Sequence, residues 1–124
     1  MRLLLDTHAL LWWLADEGLA RPARDAIAEP ANEIAVSAAS AWEISIKKAL
    51  GRLDAPDDLE PQLEASGFDA LPITIAHGLA AGALPRHHED PFDRLLIAQA
   101  RIEGLTIVTR DARFKEYDVA LLPA

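Results

Sequence analysis

Short apolar runs alternate with longer segments rich in alanine and leucine along the whole chain. The apolar runs predict five strands, at Arg2–Leu5, Glu33–Ser37, Phe68–Ile73, Leu105–Thr109 and Val119–Leu122. The intervening residues have high helix propensity and predict helices over Thr7–Asp16, Arg21–Glu29, Ala38–Leu50, Asp57–Ser66, Thr74–Leu84 and Asp90–Glu103. Strands that alternate with helices are typical of a parallel sheet covered on both faces. We therefore expect an α/β fold, a three-layer α/β/α domain with a short parallel sheet.

The length and composition narrow the class of protein. The chain has 124 residues, of which 51% are hydrophobic, and we predict a single domain over residues 1–124 because domains most often have about 100–150 residues. The absence of cysteine excludes thiol nucleophiles, disulfides and cysteine-based zinc sites. No apolar run approaches the roughly 18 residues of a membrane span, and Asp6 and His8 interrupt the apolar N-terminus. We expect no membrane segment, no signal peptide and a cytoplasmic location.

The net charge of −8 argues against a broad basic surface that would coat nucleic acid. The charge is uneven, however, because the segment between Leu53 and Pro85 contains six acidic residues and neither lysine nor arginine. The rest of the chain is nearly balanced, with fourteen acidic and twelve basic residues. A local basic surface therefore remains compatible with the composition.

Four carboxylates occupy positions that suggest a common site. Asp6 directly follows the first predicted strand, and Asp111 comes two residues after the fourth. Ligands of open parallel sheets bind outside the carboxyl ends of the strands, and neighbouring strands lie about 4.8 Å apart. Glu43 and Asp93 lie on helices among apolar residues, where an acid needs a partner.

Each acid also has a structural interpretation. Asp6 is a possible helix cap, Asp93 resembles the acidic half of a capping box, and Asp111 suits a turn. Glu43 has the spacing to pair with Lys47 at i+4. Taken singly, these structural roles are favoured. Taken jointly, like charges at one place destabilise a fold unless a cation lies among them, and oxygen ligands suit Mg²⁺ or Mn²⁺.

A family resemblance covers nearly the whole chain in four ordered segments. They read LLLDTHALLWWL, SAASAWEISIKKALGRL, DPFDRLLIAQA and LTIVTRD, of which DPFDRLLIAQA is the most specific. Together they resemble the PIN-domain ribonucleases, in particular the VapC toxins of type II toxin–antitoxin pairs. The resemblance matches four residues to the acids that bind the metal, Asp6, Glu43, Asp93 and Asp111. It matches Thr109 to a supporting hydroxyl position, and it leaves Asp90 as an alternative to Asp93.

The resemblance implies an activity and partners. It implies a metal-dependent endoribonuclease that binds Mg²⁺ or Mn²⁺, forms a homodimer and hydrolyses phosphodiester bonds in structured RNA such as tRNA or rRNA. It also implies a VapB-type antitoxin that blocks the site. Candidate RNA contacts are the arginines near the last two segments, Arg86, Arg94, Arg110 and Arg113, because basic side chains contact phosphates. His87 and His88 suit a solvent-exposed loop, with RNA or metal contact as the alternative.

Other functions are compatible with parts of the sequence pattern. A housekeeping RNA-processing PIN nuclease, or a non-catalytic RNA-binding domain, keeps the fold and drops the toxin role. A phosphoacceptor receiver module has a similar length and architecture, but it needs an acidic pair after the first strand, a mid-chain aspartate after a strand and a lysine directly after the last-but-one strand. Here Thr7 follows Asp6, and Arg110 follows Thr109. We therefore favour the ribonuclease toxin.

Overall fold

The structure, a computed structural model of residues 1–124, contains one sheet of five parallel strands. These are β1 (Arg2–Leu5), β2 (Glu33–Ser37), β3 (Asp69–Leu71), β4 (Thr106–Thr109) and β5 (Leu121–Pro123). The helices are α1 (Thr7–Ala15), α2 (Arg21–Ala28), α3 (Ala38–Ala49), α4 (Leu59–Ala65), α5 (Ile75–Ala83) and α6 (Pro91–Glu103). The predicted α/β fold is confirmed. A short 3-10 helix at Ala112–Glu116 was not predicted.

Two apolar clusters cover the two faces of the sheet. Because side chains alternate along a strand, Leu3 and Leu5 of β1 enter one cluster and Leu4 enters the other. The first cluster includes buried residues of α1 and α2, and the second includes buried residues of α6. This arrangement gives the three predicted layers. No helix has both the length and the apolar character needed to cross a membrane.

The strand order β3-β2-β1-β4-β5 places a switch point between β1 and β4. From β1 the chain builds one half of the sheet through β2 and β3, then returns to build the other half from β4. These halves meet where Leu5 of β1 is paired in register with Val108 of β4. Next to this pair, the Asp6 N–H donates to the Val108 carbonyl at 3.1 Å. Open α/β sheets bind ligands at the carboxyl ends of the strands at such a point. The first and last candidate acids therefore reach the same edge.

Candidate active site

Asp6 lies at the carboxyl end of β1, where it caps α1. Its Oδ1 accepts a hydrogen bond from the Ala9 N–H at 2.8 Å, and the residue is only 6% exposed. Burial raises the pKa of Asp6, against the opposing effect of hydrogen bonds from the Thr109 hydroxyl and the Ala9 N–H. The same hydroxyl of Thr109 accepts from the Asp111 N–H at 3.1 Å. Thr109 thus lies near both the first and the last candidate acid.

Glu43 is buried on α3, and both of its carboxylate oxygens have partners. Oε1 accepts from the Thr7 hydroxyl at 2.5 Å, and Oε2 is 2.5 Å from Lys47 Nζ. The pair with Lys47 has the predicted i,i+4 spacing. Its hydrogen bond with Glu43 raises the pKa of Lys47, and the nearby charges of Asp90 and Asp93 act in the same direction. Lys47 is therefore a cation held inside the acidic cluster.

Asp93 is the acid on which the cluster converges, because α6 begins beside the ends of β1 and β4. Burial raises the pKa of Asp93 to about 8, and the negative charges of four neighbouring acids add to the effect: Asp90, Glu43, Asp6 and Asp111. All four acids proposed from the sequence are therefore close enough to interact electrostatically, and Asp93 and Asp111 have oxygens within 4.8 Å of each other. Asp90 acts as the cap of α6, since its Oδ1 accepts from the Phe92 and Asp93 N–H groups at 2.8 and 3.0 Å.

Asp111 follows β4 and caps the 3-10 helix by accepting from the Arg113 N–H at 2.9 Å. The Arg113 guanidinium also donates to both of its oxygens, at 3.1 and 2.8 Å. This hydrogen-bonded pairing lowers the pKa of Asp111 to about 2. Asp111 is therefore ionised across the range in which Asp93 titrates.

The surroundings of His88 differ from the solvent-exposed loop that the sequence favours. It was favoured as a solvent-exposed loop residue, but it is 1% exposed, and its Nε2 lies 2.9 Å from Asp93 Oδ2 and 3.3 Å from Asp111 Oδ2. His87 is exposed, as expected. The sequence signal for this burial is that His88 lies two residues before Asp90, which caps α6. From this position its Nδ1 accepts a hydrogen bond from the Asp90 N–H at 3.2 Å.

The four candidate arginines have different surroundings. The Arg94 guanidinium donates to backbone carbonyl oxygens in the last turn of α5 and in the loop that follows, among them those of Ala81, Leu84 and His88. Arg110 donates to the Ala124 carbonyl oxygen at 2.9 Å and lies over the Trp12 ring. These two guanidinium groups hold backbone segments in place, and their proposed contact with RNA stays a prediction. Arg113 is paired with Asp111, whereas Arg86 is exposed and makes no hydrogen bond.

An exposed aromatic side chain borders the site. Trp42 is 58% exposed and packs edge-on against Phe92, with 5.4 Å between the ring centroids. These two residues immediately precede Glu43 and Asp93 in the chain. Their rings therefore lie on the same two helices that present the acids.

The donor set fits a divalent cation. Asp93 and Asp111 each bring a carboxylate oxygen within 4.8 Å of the other and of His88 Nε2, a buried nitrogen that has no hydrogen-bond partner. The carboxylates of Asp6 and Glu43 lie close enough to repel Asp93. Oxygen-rich sets of this kind suit hard divalent cations. The fold and the site define an α/β protein with a candidate cation centre at the switch point of a parallel sheet.

Comparison with known proteins identifies the family. The PIN domain profile matches residues 3–120, and the chain is 34% identical over 118 residues to Ribonuclease VapC22 from Mycobacterium tuberculosis, covering 92% of this chain and 90% of that protein. VapBC2 from Rickettsia felis, in a structure bound to a DNA fragment from their promoter, superposes with a TM-score of 0.72 at 17% identity and 98% coverage of both chains. DNA-bound VapBC from Salmonella typhimurium gives a TM-score of 0.70 at 16% identity, covering 98% of this chain and 97% of that one. The chain belongs to the PIN domain family, as its four sequence segments predicted.

Proposed function

We propose that this chain is an endoribonuclease, the toxin of a type II toxin–antitoxin pair, that hydrolyses phosphodiester bonds in structured RNA. The observation that supports the proposal is an acidic site near the switch point of a PIN-domain sheet, where Asp93 and Asp111 lie together and the charges of Asp6 and Glu43 act on Asp93. The 34% identity to a protein named as a ribonuclease supports the same activity.

Asp6, Glu43, Asp93 and Asp111 would hold Mg²⁺ or Mn²⁺. Such an ion supplies a nucleophile from water at neutral pH and neutralises charge on the phosphate. The protein's own groups position these acids: Thr109 links Asp6 to the backbone of Asp111, and Lys47 balances Glu43. The exposed Arg86 and Trp42 are the groups we propose for contact with RNA, through phosphate and base respectively.

The partners follow from the relatives. The Rickettsia felis and Salmonella typhimurium structures are of VapBC assemblies, and we propose a VapB-type antitoxin for this chain. We also propose a homodimer, because α5 exposes Ile75 and Leu79 to 83% and 73%, and large exposed apolar side chains on one helix are costly without a partner. A role on tRNA or rRNA would place the protein in the cytoplasm.

The test is cleavage of total tRNA by the purified protein with Mg²⁺, Mn²⁺ or EDTA. Discrete fragments are expected with either cation, and they should vanish with EDTA and in Asp6→Asn and Asp93→Ala variants that retain the wild-type circular dichroism spectrum. Asp25→Asn, which changes an exposed acid of α2, is the matched control and should cleave normally. Cleavage that survives EDTA would contradict the four-acid site.

A second experiment separates the toxin from the alternatives. Induced expression should arrest growth of a bacterial host, and co-expression of a small reading frame found directly upstream of the gene should relieve the arrest. Harmless expression together with RNA cleavage would favour a housekeeping nuclease. Retention of RNA without cleavage in any cation would favour a binding domain.

A further inference from the structure

His88 is fully buried beneath the candidate cation ligands, and the proposed function assigns it no task. Its side chain is 0% exposed, whereas those of Asp93 and Asp111 are 19% and 26% exposed. We propose that His88 is a positioning residue, whose Nε2–H holds the Asp93 and Asp111 carboxylates as a pair without binding the cation itself. This inference rests on the proposed function, because it takes Asp93 and Asp111 as cation ligands.

The tautomer of His88 follows from the contact at its other nitrogen. Nδ1 lies 3.2 Å from the Asp90 backbone nitrogen, which can only donate. Nδ1 must therefore present its lone pair, and a neutral ring then carries its hydrogen on Nε2. A ring that binds a cation through Nε2 needs its lone pair there and normally donates from Nδ1 to an acceptor. The Asp90 N–H occupies the place of that acceptor, which argues against His88 as a ligand.

The contacts of Nε2 agree with a donor shared between two acids. Its polar neighbours are Asp93 Oδ2 at 2.9 Å and Asp111 Oδ2 at 3.3 Å. Neither contact has the geometry of a hydrogen bond, so Nε2 is a buried nitrogen without a hydrogen-bond partner. A single N–H within reach of two carboxylates can draw both toward one point. Without this donor, two carboxyl groups from different elements, α6 and the turn after β4, would repel each other.

The surroundings leave the ring little freedom to move away. The His88 N–H donates to the Tyr117 hydroxyl at 2.8 Å, and that hydroxyl donates to the Pro85 carbonyl at 2.6 Å. The His88 carbonyl accepts from Arg94 at 3.1 Å, and the ring packs edge-on against Phe114, 5.7 Å away between centroids. The backbone is therefore fixed on both sides of the residue. A side chain held this firmly below a charged pair is suited to setting the positions of the acids.

The test measures Mn²⁺ binding by the full-length protein in three variants. His88→Ala should weaken binding by about 10–100-fold, which is the usual effect of removing a group that orients a ligand. His88→Gln, whose amide can donate from near the position of Nε2, should restore binding to within a few-fold of wild type. His87→Gln changes the exposed neighbour and should have no effect. Equal loss in the alanine and glutamine variants would overturn the proposal.

Spectroscopy separates the donor from a ligand. Electron spin-echo measurement on Mn²⁺ bound to the wild-type protein should show no nitrogen coordinated directly to the ion. A directly bound nitrogen whose signal is absent from His88→Gln would overturn the proposal. If His88→Ala does not fold, this measurement and the glutamine variant still decide the question.

A cation-free measurement keeps this inference separate from the proposed function. Long-range proton–nitrogen NMR correlations of the His88 ring should report the Nε2–H tautomer, and the Nδ1–H tautomer would overturn the proposal. A wild-type protein that binds no Mn²⁺ would instead contradict the proposed function.

Discussion

At higher pH, the cation-free Asp93→Asn variant should be more stable than the cation-free wild type, although the substitution removes a candidate cation ligand. Asp93 lies among four other acids, and burial together with their charges raises its pKa from 3.8 to about 8. Between these values the folded chain holds a proton that the unfolded chain has released. The free energy of unfolding of the wild type should therefore fall as the pH rises through this range. Asparagine has nearly the same shape and cannot ionise, so the variant should lack this loss.

The magnitude follows from the two pKa values. A difference between 3.8 and about 8 corresponds to roughly 6 kcal/mol at the upper end, since each tenfold change in proton affinity is about 1.4 kcal/mol. Asp93 keeps 19% of its side-chain surface exposed, and solvent screening reduces the cost, so we expect about 2–4 kcal/mol. The lowered pKa of Asp111, about 2, has the opposite sign. Its contribution changes only below about pH 4 and leaves this window unaffected.

The assay is urea unfolding followed by circular dichroism, at several pH values from about 5 to 8 and with EDTA present. The wild type should lose about 1 kcal/mol per pH unit relative to Asp93→Asn. Asp25→Asn, at an exposed position of α2, should follow the wild type. Adding Mn²⁺ should stabilise the wild type, by about 2.7 kcal/mol at one hundred times the dissociation constant, and should stabilise Asp93→Asn far less. Parallel pH profiles for wild type and Asp93→Asn would refute the assignment of the raised pKa to this residue.

Three further changes test other parts of the site and surface. Lys47→Met leaves the Glu43 carboxylate buried without its cation, so urea unfolding should show a loss of about 2–3 kcal/mol, and a loss below about 0.5 kcal/mol would contradict the pairing. Trp42→Ala, made in the inactive Asp93→Asn background, should weaken RNA binding about tenfold. The measurement is filter retention of RNA with Trp42→Phe as the control, and an unchanged affinity would rule out base stacking on Trp42. The double variant Ile75→Glu and Leu79→Glu should be monomeric by light scattering, whereas a persistent dimer would place the interface elsewhere.

The fold was predictable because its signals are local. The apolar run at β1, the cap and proline that begin α6, and the glycine that ends it each specify a boundary within a few residues. The candidate acids were predictable for a related reason. Asp6 and Asp111 come at or just after the ends of strands, and parallel topology brings such ends to one edge of the sheet. Position along the chain was enough to suggest their proximity.

The roles of the basic and imidazole side chains depend on partners far away in the chain. The loop that carries His88 is held by Tyr117, 29 residues further on, and Arg110 contacts the Gly18 carbonyl across 92 residues. No local pattern distinguishes a guanidinium that binds phosphate from one that binds backbone carbonyls. Arg94 is an example, since its carbonyl acceptors become available only when α5 and α6 pack together. Burial of a loop residue such as His88 is likewise a consequence of tertiary packing.

Helix capping and cation binding are alternative interpretations of the candidate acids in the sequence, but the two roles are compatible in the folded site. Asp6, Asp90 and Asp111 cap α1, α6 and the 3-10 helix, and the positive ends of helices stabilise such carboxylates without any ion. Glu43 has Lys47 as a fixed cation. Asp93 alone among these acids has neither a backbone N–H donor to its carboxylate nor a lysine or arginine partner, and its pKa is the one raised to about 8. The ends of three helices therefore bring the acids together. Asp93 is the acid whose negative charge most needs a divalent cation to balance it.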